Sequence, residues 1–194
     1  MLDAAEQAFT EYGYDGASLE EICRRAGLKR PLFYTYFGNK EGLYLACHRR
    51  ARAELDERIT HAAARVSTDE NTPQALLEIH AAIAHAYFDF LATSPSRWDM
   101  LYGPGAATPD RSPRRSPCCA TRLSTLLAAL IRHYAPSDLD DDTILVFAHA
   151  SSGSGEQLAR WWRRNPKIAI DQLADLAARY SWAGVSQLYS APEQ

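Results

Sequence analysis

Apolar residues recur every three or four positions along most of the chain, which is the spacing of one face of an α-helix. The first stretch shows this pattern, with Leu2, Ala5, Phe9 and Tyr12 on a single helical face. The strict alternation of apolar and polar residues that indicates a strand is hard to find. The pattern therefore predicts an all-α protein with about nine helices.

Glycine, proline and an Asn-Pro pair interrupt the helical pattern and mark where the predicted helices end. A segment rich in Pro, Gly and Arg, 103–117, is predicted to be a loop. The first helix is predicted to stop at Gly13, and the third to begin at Arg30. The other predicted helices cover 19–26, 40–66, 73–93, 97–102, 118–135, 139–164 and 168–189.

The second and third predicted helices are short and are joined by a turn that contains glycine, which is the arrangement of a helix-turn-helix. Gly27 can adopt the left-handed backbone conformation that so tight a turn requires. Ser18 is predicted to begin the second helix in a capping box with Glu21. Pro31 falls in the first turn of the third helix, where its missing N–H costs little. We expect a helix-turn-helix domain over 1–47 and a C-terminal helical bundle over 48–194.

Charge is unevenly distributed along the chain. The net charge is −3, but the segment 22–53 contains eight basic residues and one acidic residue. Within it Phe33 and Phe37 are four positions apart and share an inward face of the third helix, so Tyr34 and Tyr36 must point outward. An outward tyrosine beside basic side chains can donate a hydrogen bond to a DNA phosphate. Covering neighbouring apolar surface is the alternative role for these two rings.

The N-terminal stretch LDAAEQAFTEYGYDGASLEEICRRAGLKRPLFYTYFGNKEGLYLAC combines several distinctive features. A glycine-aromatic pair follows the first helix, an A-G-hydrophobic turn precedes an aromatic-rich third helix, and N-K-E-x-L enters the fourth. In all of these it resembles the N-terminal domain of the TetR family of transcriptional regulators, while the second half resembles the family only loosely. The resemblance implies a DNA-binding regulator whose third helix is the recognition helix.

The resemblance divides the residues of the recognition helix into two groups. Arg30 and Leu32 are expected to face base edges, because they match the family's base-reading positions. Tyr34, Tyr36 and Lys40 are expected to contact phosphates, which position the protein on DNA without reading its sequence.

Two residues at helix starts complete the predicted DNA interface. By resemblance, Ser18 caps the second helix near the DNA backbone. Lys29 stands where the family often has a Ser or Thr that caps the recognition helix. Because an ammonium group cannot accept a hydrogen bond, Lys29 weakens this cap while it adds a positive charge.

A homodimer is expected, because a single recognition helix reads too few base pairs to be specific. Two helices related by a two-fold axis read half-sites about 34 to 36 Å apart, or a multiple of that distance. By resemblance, the bundle over 48–194 is a ligand-binding and dimerisation domain, and its helices at 139–164 and 168–189 form a four-helix interface. The expected partners are a double-stranded DNA operator and a small hydrophobic or aromatic effector that releases a repressor, with no cofactor and no metal. Neither a membrane span nor a secretory signal is evident, so a cytoplasmic location is expected.

A mostly apolar set of residues in the second half has the composition of a small-molecule pocket. Rings at helical spacing more often belong to a core, so core packing is the alternative. The predicted effector-binding residues are His80, Tyr87, Phe88, Trp98, Met100, Tyr102, Phe147 and His149.

Catalysis is not expected, because the candidate motifs fail on spacing. The serines at 151–156 do not form G-x-S-x-G, and His80 and His85 are five residues apart, off a common helical face. Two alternative functions stay open. One is a helical protein-interaction scaffold, which leaves the basic helix-turn-helix unused. The other is a thiol-responsive regulator that uses the adjacent Cys118 and Cys119.

Overall fold

The computed structural model describes residues 1–66, 72–103, 119–134 and 138–189. Within these ranges the chain forms nine α-helices, one short 3-10 helix and no strand, which confirms the predicted all-α fold. The helices are α1 (Leu2–Gly16), α2 (Leu19–Arg25), α3 (Arg30–Phe37), α4 (Lys40–Val66), α5 (Pro73–Thr93), α6 (Pro95–Tyr102), α7 (Cys119–Tyr134), α8 (Asp141–Arg164) and α9 (Ile170–Val185), followed by the 3-10 helix Ser186–Tyr189.

The predicted helix boundaries agree with the structure to within a few residues, and α1 shows the main difference. Gly13 has the non-helical dihedrals φ 70° and ψ 175°, so the helix is interrupted at the predicted stop, but a helical turn resumes and ends at Gly16. Residues 104–117 of the predicted loop lie outside the described residues, as do Cys118 and the side chain of Cys119.

The helices form two compact units. The first contains Met1–Leu55 and the described residues of the segment that starts at Ser94, so α6 belongs with the helix-turn-helix. The second contains the described residues of Asp56–Thr93 and those from 119 onward. Helix α4 contributes its first part to one unit and its last part to the other. The assignment of separate roles to 1–47 and 48–194 stays a prediction.

The first unit is held together by a core that α1, α2, α3, α4 and α6 all share. The ring of Phe9 meets that of Tyr44 edge-on, with centroids 5.1 Å apart, and Phe33 is buried in the same cluster. Gly27 has φ 63°, as the tight turn between α2 and α3 requires, and Leu28 packs against the core at that corner. The turn geometry predicted for the helix-turn-helix is therefore confirmed.

The predicted capping box at the start of α2 is wrong. Ser18 is the N-cap residue, but its side chain makes no capping hydrogen bond. The carboxylate of Glu21 instead accepts hydrogen bonds from Arg24 and Arg25, each at 2.7 Å, and these bonds, that from Arg24 first, lower the pKa of Glu21 to about 2. Arg24 and Arg25, three and four residues ahead on the same helix, engage both carboxylate oxygens of Glu21, so the carboxylate is directed away from the backbone N–H of Ser18.

The second unit packs α5 against α9 and α7 against α8. Nε2 of His85 on α5 lies 2.8 Å from Oδ1 of Asp175 on α9, an exposed contact at the edge of the first pair. The start of α8 is capped by Asp140, whose carboxylate accepts from the backbone N–H of Thr143 at 2.8 Å. Asp141 and Asp142 follow in the first turn, where negative charge is favourable beside the positive end of the helix dipole.

Helix α5 is apolar enough to pass a composition test for a membrane span. The window Gln74–Thr93 has a mean hydropathy of 1.2, and half of it is buried inside the protein. Leu76, Ile79, Phe88 and Leu91 are almost fully buried in this helix. Its place in the core accounts for its apolar character.

Candidate functional site

Helix α3 presents opposite faces to the core and to the surface. Phe33 is buried, and Phe37 packs partly against the same core. Tyr34 and Tyr36 keep 52% and 70% of their surface exposed, and Leu32 is exposed beside them. This division of the rings confirms the inward and outward orientations that the spacing predicts, and it leaves an apolar and hydroxyl-bearing surface on α3.

The start of α3 carries no side-chain cap. Lys29 is the N-cap residue and makes no capping hydrogen bond, as its chemistry predicts. Farther along, Thr35 turns back on the helix, and its hydroxyl donates to the carbonyl oxygen of Pro31 at 3.1 Å. The first amides of α3 therefore stay available to an acceptor such as a phosphate oxygen.

Arg30 is engaged by an acidic residue that the sequence analysis did not consider. Its Nη2 lies 2.5 Å from Oε1 of Glu20 on α2, and both side chains are exposed. The tight turn at Gly27 folds α2 back beside the start of α3, which brings together residues ten positions apart. A search for ion pairs at the i, i+3 and i, i+4 spacings of a single helix would not have found this pair.

The excess of positive charge along 22–53 disappears when the acidic residues that pack beside this segment are included. Residues 1–55 contain eight basic and eight acidic residues, so their formal net charge is zero. Arg24 and Arg25 pair with Glu21, and Arg50 pairs with Glu6. Most of these carboxylates lie just before the basic segment in the sequence, and folding returns them to it.

Lys40 holds the start of α4 against the end of α1. Its ammonium group donates to the carbonyl oxygen of Asp15 at 3.1 Å and lies over the ring of Tyr14, 5.0 Å from the ring centre. Beside it, the side chain of Asn39 accepts from the backbone N–H of Gly42 at 2.7 Å and so caps α4. In the predicted phosphate contact, the ammonium group of Lys40 would have to bind the phosphate and keep these contacts with α1 at the same time.

A second exposed surface lies on α8 and α9, in the second unit. Large apolar side chains on both helices point away from the core of the unit; they are Leu145, Val146, Trp161, Leu176 and Tyr180. Gly184 on α9 is half-buried, and a Cβ at that position would be in ordinary van der Waals contact with the ring of Phe147, at 3.8 Å. Single exposed apolar residues are ordinary, but five large ones on two helices that contact each other are the composition of an interaction site.

The second unit also contains a cavity of about 50 Å³ between α5, α7, α8 and α9. His80, Tyr87 and Phe88, all predicted to bind an effector, line it. Three serines line it as well: Ser151, Ser154 and Ser181. In sequence, the serine-rich stretch of α8 stood out only as a catalytic motif with the wrong spacing. Serines on an otherwise apolar helical face can also indicate polar groups that line a pocket.

The other predicted effector-binding residues lie elsewhere. Trp98, Met100 and Tyr102 are on α6, where they are buried in the first unit. Phe147 faces Gly184, and His149 is exposed on α8. The structure therefore gathers the residues of α5 into one cavity and does not place these five beside them.

The described side chains offer no metal centre, and the two described thiols are buried. Among the described residues, no group of three or more His, Cys, Asp or Glu side chains is placed to hold a metal ion. Cys23 and Cys47 are buried and free, and burial raises the pKa of the Cys47 thiol to about 12. Cys47 therefore stays protonated and unreactive in the folded protein.

Comparison with known proteins connects this geometry to a family. A sequence model described as "Bacterial regulatory proteins, tetR family" matches residues 1–47. The chain is 25% identical over 189 residues to the HTH-type transcriptional activator FasR of Mycolicibacterium smegmatis, a match that covers 97% of this chain and 82% of FasR. It is 34% identical over 91 residues to the HTH-type transcriptional repressor ComR of Escherichia coli, which covers 44% of this chain and 40% of ComR.

A solved structure supports the fold over the whole length. The transcriptional regulator FadR from Bacillus subtilis, in complex with stearoyl-CoA, superposes with a TM-score of 0.72 at 16% sequence identity. The match covers 94% of this chain and 96% of FadR. At this identity the likeness extends to the fold alone.

Proposed function

The chain belongs to the TetR family of bacterial regulatory proteins and is a DNA-binding transcriptional regulator, and on this premise we propose that it acts in the cytoplasm as a homodimeric repressor. The observation that carries the proposal is the outward face of α3, where Leu32, Tyr34 and Tyr36 are exposed beside Arg30. Exposed rings and an apolar side chain on a short helix cost solubility and are explained by contact with another surface. DNA is the surface that fits a helix-turn-helix.

The recognition helix provides the primary test. Purified protein is first used to select its operator from a genomic DNA library, and the selected sequence is expected to be palindromic. Arg30→Ala is then expected to cost about 1 to 3 kcal/mol on the matched operator and to relax preference at one base pair. Tyr34→Phe, which removes only a hydroxyl, is expected to weaken binding to all sequences alike, by about 0.5 to 1.5 kcal/mol.

Binding of both variants is measured on matched and mismatched operators by fluorescence anisotropy. If Tyr34→Phe lowers the melting temperature and leaves DNA affinity unchanged, the tyrosine is a packing residue and its phosphate contact is refuted. Failure of the folded dimer to select any DNA fragment would favour the protein-interaction scaffold over a regulator.

Glu20 is expected to oppose DNA binding. Its carboxylate lies against Arg30 at the start of the recognition helix, so it brings negative charge close to the DNA backbone and occupies a guanidinium that would otherwise face the bases. Because the pair is exposed, its own energy is small, at about 0.2 to 1 kcal/mol. We expect Glu20→Gln to tighten binding to every DNA sequence by roughly two- to tenfold at low salt, with the gain reduced at high salt.

The matched control is Glu57→Gln, which removes an exposed carboxylate from α4 in the second unit. It is expected to leave DNA affinity unchanged. Weaker binding of Glu20→Gln to a subset of operators would instead indicate that the carboxylate accepts a hydrogen bond from a cytosine amino group.

The homodimer is supported by the exposed apolar face of α8 and α9. One subunit offers this face no cover from its own described residues, and a two-fold copy of the same face is complementary to it in chemistry. This interface joins two recognition helices and so permits a palindromic operator to be read.

Repression released by an effector is the regulatory scheme that we propose. A dimer seated on an operator blocks access to the DNA, and ComR, which matches 44% of the chain, carries the name of a repressor. FasR, which matches nearly the whole chain, carries the name of an activator. Transcription in vitro from the selected operator therefore decides between repression and activation. Lower transcript yield with added protein is expected, and higher yield would overturn repression.

The proposed effector is hydrophobic and binds in the second unit. The cavity lined by His80, Tyr87 and Phe88 supports this location, and FadR provides a case of the same fold in complex with a long-chain acyl compound. The effector must bind the DNA-incompetent arrangement more tightly, with a coupling energy of about 1 to 3 kcal/mol. Helix α4, which contributes to both units, is the covalent route for this coupling.

A further inference from the structure

His80 lines the cavity, and one of its ring nitrogens is buried without a hydrogen-bond partner among the described residues. The side chain keeps only 4% of its surface exposed, and Nδ1 lies 2.9 Å from the carbonyl oxygen of Leu76. Because a carbonyl oxygen only accepts, Nδ1 must carry the proton, and Nε2 then presents a lone pair. No described residue donates a hydrogen bond to Nε2. A buried acceptor in this state is costly unless some group donates to it.

His80 is neutral at physiological pH. Burial lowers the pKa of its imidazole, and the hydrogen bond to Leu76 opposes this shift only in part. The ring of Trp182 lies nearby, with centroids 6.1 Å apart, and adds an apolar surface that favours the uncharged form. Nε2 therefore acts as an acceptor rather than a charged donor.

The serines on the other side of the cavity supply a donor. The hydroxyls of Ser151 and Ser181 are 2.9 Å apart, and the hydroxyl of Ser154 donates to the backbone carbonyl oxygen of Ser151 at 2.9 Å. Two hydroxyls that share one hydrogen bond use only one of their two protons. Whichever way the Ser151–Ser181 pair is oriented, one hydroxyl proton remains for a further acceptor.

The size of the cavity limits what can enter it. Its volume of about 50 Å³ is well below the roughly 150 Å³ that holds a benzene ring, so an aromatic ring does not fit. The walls around the polar groups are apolar, with Ile83, Ala84 and Leu127 among them, and one side is open. The narrow end of an aliphatic chain fits such a space, with the remainder of the chain following the opening.

We propose that this cavity binds the hydroxyl end of an aliphatic alcohol. The hydroxyl donates to Nε2 of His80 and accepts from the Ser151–Ser181 pair, while the alkyl chain contacts the apolar walls. An ether or ester oxygen only accepts, so it leaves Nε2 unpaired. A carboxylate places a negative charge beside that lone pair. The inference rests on the proposed function in one respect only, namely that the bound alcohol is the effector.

The test compares three probes of similar length with the full-length protein: 1-hexanol, 1-methoxypentane and hexanoate. Affinities are measured by isothermal titration calorimetry. We expect 1-hexanol to bind roughly five- to 150-fold more tightly than the ether, because the ether has no proton to donate and leaves Nε2 of His80 without a hydrogen bond. In His80→Phe the two are expected to bind alike, and His80→Gln, which keeps an acceptor, is expected to restore part of the preference. His61→Gln, an exposed histidine on α4, is the control and should behave as the parent protein.

A spectroscopic measurement keeps the inference testable even if His80→Phe does not fold. With ¹⁵N-labelled histidine, the signal of unprotonated Nε2 of His80 is expected to move upfield with 1-hexanol and to stay in place with the ether. Equal affinities for the two probes would overturn the inference. So would an Nε2 signal that reports the same hydrogen bond with and without alcohol, since an ordered water would then satisfy His80.

Operator competition separates this inference from the proposed function. Binding of 1-hexanol with the expected preference but no change in operator affinity would leave the alcohol site intact and remove its role as effector site. Release of the operator by other hydrophobic compounds, without alcohol binding, would support the regulator and overturn the alcohol site.

Discussion

Leu176→Glu is expected to convert the protein from a dimer to a monomer and to lower operator affinity by at least about 100-fold, since the gain from linking two binding modules is typically 10²- to 10⁴-fold. Leu176 lies on α9 with 46% of its surface exposed, among the apolar side chains that α8 and α9 turn outward. In a two-fold interface formed by this surface, a carboxylate there would be buried without a partner. The fold of one subunit should survive, because the side chain is not part of its core.

Sedimentation equilibrium and operator titration check this expectation. Leu45→Glu is the matched control, because Leu45 is also a leucine on an exposed helical surface, with 38% of its surface exposed on α4. It should stay dimeric. A Leu176→Glu variant that stays dimeric at micromolar concentration would show that the interface lies on another surface.

Arg50→Met is expected to destabilise the first unit by about 3 kcal/mol, because removing one partner from a buried ion pair typically costs 3 to 5 kcal/mol. Glu6 keeps only 3% of its surface exposed, and its two carboxylate oxygens accept from Nε and Nη2 of Arg50 at 2.8 and 2.6 Å. Nη2 also lies 2.5 Å from Asp3. A methionine of similar length would leave the Glu6 carboxylate buried with Arg97 as its remaining charged partner.

Two further variants identify the cause. Arg49→Met removes the neighbouring exposed arginine and should change stability by less than about 0.5 kcal/mol. Glu6→Gln, added to Arg50→Met, removes the buried charge and should recover part of the loss. Urea denaturation measures these three variants and Glu6→Gln alone. If Glu6→Gln lowers the free energy of unfolding by the same amount in Arg50→Met as in the parent protein, the two residues act independently. The ion pair would then not be the source of stability.

The same group of ion pairs explains why α6 belongs to the first unit. Arg97 on α6 contacts Glu6 of α1 through Nε at 3.1 Å, and its Nη1 pairs with Glu54 of α4. The hydroxyl of Ser94 also donates to Glu54, at 3.1 Å. Three helices that are distant in sequence are therefore joined by buried or half-buried charges, and α6 carries its rings into this unit.

Local sequence determined most of the helices and the faces of the recognition helix. Helix boundaries follow from glycine, proline and the apolar spacing, all of which act within a few residues, and α5 begins and ends where the pattern predicts. The left-handed turn at Gly27 and the burial of Phe33 beneath exposed Tyr34 and Tyr36 follow from the same local rules. The DNA-binding character of the domain could therefore be inferred from a single stretch of sequence.

Tertiary structure alone decided which charges and pocket residues meet. The carboxylates of Glu20 and Glu6 reach Arg30 and Arg50 only after the chain turns, so a count along the sequence overstated the positive charge of the domain. The predicted pocket residues of α6 lie in another unit than His80, because ion pairs hold α6 to α1 and α4. Contacts between residues far apart in sequence depend on how helices pack, and helical periodicity reports which face of a helix is apolar without reporting the neighbour that covers it.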